Sequence, residues 1–143
     1  MRFFAALLCM LLAMVLQFWF ASAGIFIDFV FGALIAFAFV FAFWEIVFFV
    51  LLSLFVINWQ PAASLTLGVF GGLPLLAYGF RKLFPWQAWA GNIIAMVLGL
   101  FILYLSVSPT LLFANWEIFF TDLLASLAFG SFVFFALRYS HRR

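Results

Sequence analysis

All six lysine and arginine residues of this chain fall in three places: Arg2, the Arg81-Lys82 pair, and the C-terminal group Arg138, Arg142 and Arg143. The stretches between them are apolar and of membrane length, so this spacing limits both the number of bilayer crossings and their direction. Hydrophobic residues make up 71% of the 143 and charged residues 7%, with a mean hydropathy of +1.39. No soluble domain has that balance, and the chain reads as a polytopic membrane protein. At about 20 residues per span there is room for six crossings and for no extramembrane catalytic domain. With six crossings and a cytoplasmic N-terminus, every basic residue lies inside; five crossings would move Arg81-Lys82 and the tail outside. The expectation is an all-α bundle of six transmembrane helices, near 3–22, 25–43, 46–58, 64–81, 87–106 and 116–137, forming one membrane domain over 1–143 with both termini cytoplasmic. The net charge of +2 gives no reason to expect a nucleic-acid partner. Arg2, Arg81, Lys82, Arg138, Arg142 and Arg143 read as cytoplasmic anchors, and the tail could also meet anionic headgroups.

Two of these boundaries need argument. The first apolar segment ends in Ala21-Ser22-Ala23 before Gly24, which looks like a secretory cleavage site. The run is longer than a usual signal core, and it is read as a first helix. Ile25 to Asn58 is apolar apart from Asp28, Glu45 and Ser53. As one helix it would extend about 51 Å, well beyond a hydrocarbon core of about 30 Å. A hairpin turning near Trp44-Glu45 is expected instead, with a short second arm, Ile46 to Asn58.

The stretch SLTLGVFGGLPLLAYGFRK carries Ser64, Gly68 and Gly72 at four-residue spacing. Side chains four apart share a helical face, so a neighbouring backbone can approach there. Pro74 lacks an amide hydrogen and crowds the preceding turn, which predicts a kink or break around Phe70 to Pro74. Such a break is tolerated in lipid only among other helices, so this segment is expected at the centre of the bundle. Gly91, Ala95 and Gly99 repeat the spacing on the next helix, and the two stripes are expected to pack together. Val107 to Asn115 reads as a connection. Asn115 could cap the last helix, with Glu117 in its first turn.

Asp28 and Asp122 fall toward the outer face in this topology. Asp28, Gly32 and Ala36 share one helical face and Asp122, Ser126 and Gly130 another, a pattern that hints at a repeat of three plus three helices. Acids inside a membrane are costly and are functional candidates by default. Asp28, Asn92 and Asp122 are therefore the candidate intramembrane polar site. Both acids also lie within one or two turns of a helix start, where interfacial water and the helix dipole support an anion without any ligand.

Little else carries chemistry. His141 is the only histidine and Cys9 the only cysteine; Cys9 lies inside the first apolar segment and His141 beyond the last. No triad, metal set or phosphate-binding loop can be assembled from these residues. The expectation is a protein that is not an enzyme and holds no cofactor.

The chain resembles the MreD family of rod shape-determining membrane proteins. The resemblance lies in the six short hydrophobic segments, the LGVFGGLPLLAYGFRK stretch, and the closing LASLAFGSFVFFALRYSHRR. It implies a non-catalytic component of the bacterial cell-elongation machinery in the inner membrane, with partners resembling MreC, RodA and MreB. The family's fold is thought to be similar to the six-helix substrate-binding subunits of energy-coupling-factor vitamin transporters. That likeness implies a second expectation, a small-molecule capture subunit binding near Asp28, Asp122, Asn92 or Trp116. A capture subunit requires a polar-lined outer pocket converging on an acid. A scaffold requires packed helices and an exposed apolar groove.

Overall fold

The computed structural model describes residues 2–57, 65–84, 87–107 and 109–139. Among these, seven helices follow one another: α1 (Arg2–Ser22), α2 (Phe29–Val40), α3 (Phe43–Ile57), α4 (Leu65–Phe80), α5 (Ala88–Val107), α6 (Pro109–Ala114) and α7 (Trp116–Tyr139), with a 3-10 turn, Arg81–Leu83, after α4. Helices α1, α5 and α7 are long and apolar enough to cross a membrane. Ser64, Arg142 and Arg143 lie outside the described residues.

The centre of the bundle is α2. Its 12 residues, FVFGALIAFAFV, are apolar all round, and every residue from Phe29 to Ala38 is buried. A helix apolar on every face needs neighbours on every face. Helix α2 has them in α1, α3, α4, α5 and α7. It extends only about 18 Å. Because protein rather than lipid surrounds it, its length need not match the bilayer.

The expected centre, α4, is peripheral. Its buried face is Phe70, Gly71, Pro74 and Ala77, to one side of the stripe singled out by spacing. Among the described residues, a Cβ added to Gly68 or Gly72 would meet nothing within 4 Å, whereas one on Gly71 would lie 3.1 Å from both Val50 and Leu54 of α3. Helix α4 runs unbroken through Pro74. Gly72→Leu, which the spacing would make disruptive, is expected to change the stability of the isolated protein by no more than about 0.5 kcal/mol. A drop of several degrees in thermal unfolding in detergent would show a neighbour at that face.

The stripe on α5 is also used differently. A Cβ on Gly91 would lie 2.9 Å from the ring of Phe39, and one on Gly99 2.9 Å from the ring of Phe31. These glycines accommodate α2, not α4. Helices α4 and α5 are neighbours, but an apolar groove that Ala95 helps to line remains between them.

The closest backbone approach is between α2 and α7. A Cβ on Gly32 would fall 2.8 Å from the Ser126 carbonyl oxygen, and one on Gly130 2.8 Å from that of Gly32. The faces Asp28-Gly32 and Asp122-Ser126-Gly130 therefore meet as parallel helices, in the small-residue packing that substitutes for a hydrophobic driving force inside a membrane.

The turn between α2 and α3 lies at Phe41-Ala42, earlier than Trp44-Glu45. Glu45 instead caps α3: its Oε2 accepts the Ala42 amide at 2.9 Å, reaching back as in a capping box. The hydroxyl of Ser53, which interrupts the apolar run, donates to the Phe49 carbonyl one turn earlier. Phe37 and Phe49 bind the hairpin arms together, with ring centroids 4.7 Å apart. Val107 to Asn115 contains the helical turn α6, opened by Pro109 at a position where its missing amide costs nothing.

These contacts fix directions. Gln17, near the end of α1, meets the start of α2. Thr66, near the start of α4, and Tyr104, near the end of α5, line the same cavity as Asp28. Arg81, after α4, meets the end of α2. Helices α1, α3 and α5 thus run one way and α2, α4 and α7 the other. Arg2, Arg81, Lys82 and Arg138 collect at one end of the bundle, and Asp28 and Asp122 at the other.

Candidate functional site

Short buried helices have a polar problem: the first amides and last carbonyls have no partner within the helix, and no water reaches them. The charged and polar side chains inside this bundle answer that problem for α2. The chain enters α2 from α1 through a tight reversal. Gly24, at φ +78, donates its amide to Ala21, and Ile25 donates to Phe20 at 2.9 Å. This is a Schellman ending, in which the left-handed position suits a glycine. The Ala21-Ser22-Ala23-Gly24 sequence is accounted for structurally by this helix end.

At the start of α2, Asp28 occupies the capping position but makes no side-chain cap bond. The capping carboxyl comes from α7. Oδ1 of Asp122 accepts the Asp28 amide at 2.8 Å and the Ser126 hydroxyl at 2.8 Å. Oδ2 accepts the Tyr104 hydroxyl at 2.7 Å. Asp122 is 1% exposed, so these three donors replace most of its hydration. Gln17 satisfies a further amide, its Oε1 accepting Val30 N–H at 3.0 Å. Its Nε2 faces Asp28 Oδ1 at 3.5 Å.

The other end of α2 receives a cation. Arg81 Nη1 donates to the Phe41 carbonyl at 2.7 Å and more weakly to that of Ala38 at 3.4 Å. Its guanidinium rests 4.1 Å from the Tyr78 ring centroid. Carboxyl oxygens at the N-terminus and a guanidinium at the C-terminus both match the helix dipole; for the cation this is worth about 0.3–1 kcal/mol and up to about 2 where partly buried. Charged side chains from α7 and from the turn after α4 therefore terminate a helix to which neither belongs.

The structure brings Asp28 and Asp122 together and leaves Asn92 apart. Asn92 is on α5 with Tyr104, about 18 Å away along the helix. It is 1% exposed, and its Oδ1 has no partner among the described residues. Spacing did not point to Gln17 or Tyr104 as members of the cluster. Gln17 had one signal, as the only strongly polar residue in an otherwise apolar helix; Tyr104 had none. Trp116 is 57% exposed and stacks edge-on against Phe120; it is not on the wall of the cavity that Asp28 lines.

Beside the junction lies a cavity of about 290 Å³ lined by Gln17, Asp28, Thr66, Tyr104 and apolar side chains that include Phe70 and Leu103. Asp122 is turned into the helix contacts and is not on its wall. Asp28 is the acid presented to this space. Among the described basic residues, Arg138 sits beside the Phe134 ring, 5.6 Å from its centroid, and Lys82 is exposed. No protein-family model, no curated protein and no solved structure matches the chain.

Proposed function

We propose that this chain is a non-catalytic, multi-pass scaffold of the bacterial inner membrane, an MreD-like component of the cell-elongation machinery. In this reading six helices cross the bilayer and both termini are cytoplasmic. The observation that carries the scaffold role is the use made of the interior charges: Asp122 and Arg81 terminate α2, so polar chemistry holds the shape of the bundle. The working surfaces are then the apolar outer faces of the long helices, where partner helices dock. The alternating helix directions and the basic residues at one end support the orientation, since cytoplasmic loops are enriched in Lys and Arg. The resemblance in LGVFGGLPLLAYGFRK and LASLAFGSFVFFALRYSHRR supports the assignment to cell elongation, with MreC-like, RodA-like and MreB-like partners.

A second reading rests on the cavity beside Asp28. At about 290 Å³ it lies at the lower limit of small-molecule sites, and it is mainly apolar with a few polar groups, as such sites are. It would make the chain a capture subunit of a vitamin-type transporter. Affinity purification from native membranes, with identification of the retained proteins, separates the two. MreC-like and RodA-like proteins are expected. Recovery of paired ATPases with a coupling subunit would overturn the scaffold reading and favour capture.

A further inference from the structure

An apolar groove runs between α4 and α5 and has room for a short stretch of a lipid chain. It is about 140 Å³ in volume and is lined by apolar side chains, among them Leu76 and Phe80 of α4, Ala95, Leu98 and Ile102 of α5, and Phe84 beyond the turn. The stretch of α5 that lines it, from Gly91 to Ile102, rises about 16 Å. That is half of a hydrocarbon core of about 30 Å, the depth of one leaflet. The groove therefore spans the depth of one leaflet and not the whole hydrocarbon thickness.

The charge at its end points to the headgroup. Phe80 and Phe84 mark the end nearest the 3-10 turn, and between them in sequence lies Lys82, which is exposed. Arg81 is already engaged with the end of α2, so Lys82 is the turn's remaining cation. An ammonium at the membrane surface beside an apolar slot complements a lipid phosphate above an acyl chain.

We propose that this groove seats part of one acyl chain of an anionic phospholipid, drawn from the leaflet at the basic end of the bundle, with its phosphate paired to Lys82. The inference rests on the bundle lying in a bilayer and is independent of any elongation partner. A bound lipid fills the space between α4 and α5 and ties the α4–α5 turn to the membrane surface.

The test uses the full chain purified in mild detergent, with phosphatidylglycerol or phosphatidylcholine added to the micelles. Phosphatidylglycerol at about 100 times its Kd is expected to raise the Tm by about 5 °C or more. Phosphatidylcholine should raise it less, and inorganic phosphate not at all. Lys82→Gln, at an exposed position, should fold normally and lose the difference between the two lipids. Ala95→Phe, which fills the groove, should lose the response to both. A photoreactive residue at Leu98 in native membranes should capture lipid. Equal responses to the two lipids in the unmodified protein, an undiminished preference in Lys82→Gln, or capture of a polypeptide at Leu98 would overturn the proposal. Should Ala95→Phe fail to fold, Lys82→Gln and the Leu98 capture decide it.

Discussion

Gly130→Leu is expected to destabilise the bundle by about 3 kcal/mol or more, at the upper end of overpacking effects. A Cβ at this position meets both the flexible end of Met96 and the carbonyl oxygen of Gly32, the latter at 2.8 Å. Met96 can swing aside. The Gly32 carbonyl cannot, because it belongs to the backbone of a helix packed on every side. The reciprocal contact, Gly32 against the Ser126 carbonyl at 2.8 Å, means that α2 and α7 can separate only by giving up both. Separation also pulls Asp122 from the Asp28 amide, so packing and capping fail together. The individual helices persist in detergent, since their backbone bonds are internal. The expected result is retained far-ultraviolet helicity with a lowered, broadened thermal transition and a loss of the compact peak on size-exclusion chromatography. Gly32→Val should behave alike. A Gly130→Leu protein with an unchanged melting curve would refute the close crossing.

Asp122→Ala is expected to cost about 2–4 kcal/mol: three donors converge on this carboxylate, an unsatisfied buried donor costs about 1–3 kcal/mol, and the donors that find another partner still exchange a good hydrogen bond for a weaker one. They do not suffer equally. The Ser126 hydroxyl can turn back to the carbonyl one turn earlier, as serines in helices do. Tyr104, lining the neighbouring cavity, can find water. The Asp28 amide, at the end of a buried helix, has no such alternative. Asp122→Asn should recover most of the loss, to within about 1 kcal/mol of the native protein. Its Oδ1 retains two acceptor bonds, and the Tyr104 hydroxyl can rotate to accept from Nδ2. Thermal unfolding of the two variants, with hydrogen exchange at the Asp28 and Val30 amides, measures the difference. If the alanine variant melts like the native protein, Asp122 does not terminate α2.

Glycine spacing shows why part of this arrangement was unreadable in advance. Four small-residue stripes occur at the same interval: 28-32-36, 64-68-72, 91-95-99 and 122-126-130. Each says that a helix can be approached on that face, and none says by what. The first and last found each other, the third received phenylalanine rings from α2, and Gly68 and Gly72 met nothing among the described residues. The polar cluster was half legible. Asp28 and Asp122 stood out because charge is rare in such sequence, and their matching positions on two helices were visible as a pattern. Tyr104 was not, since a tyrosine in an apolar helix looks like an interfacial anchor. The acid at the capping position does not cap, and its partner 94 residues away does.

The sequence by itself determined the class of the protein: all-helical, with apolar segments of membrane-crossing length. Those are sums over many residues, and no single contact changes them. It also placed all the basic residues within three short stretches. Only the tertiary structure decided that α2 rather than α4 is the centre, and which charges close its ends. The physical reason is the solvent. In water a helix declares its buried face by alternating apolar and polar sides, but in lipid both faces are apolar and that period vanishes. What distinguishes the core helix is then the presence of neighbours and the need to satisfy its backbone ends, and both are properties of the assembled bundle.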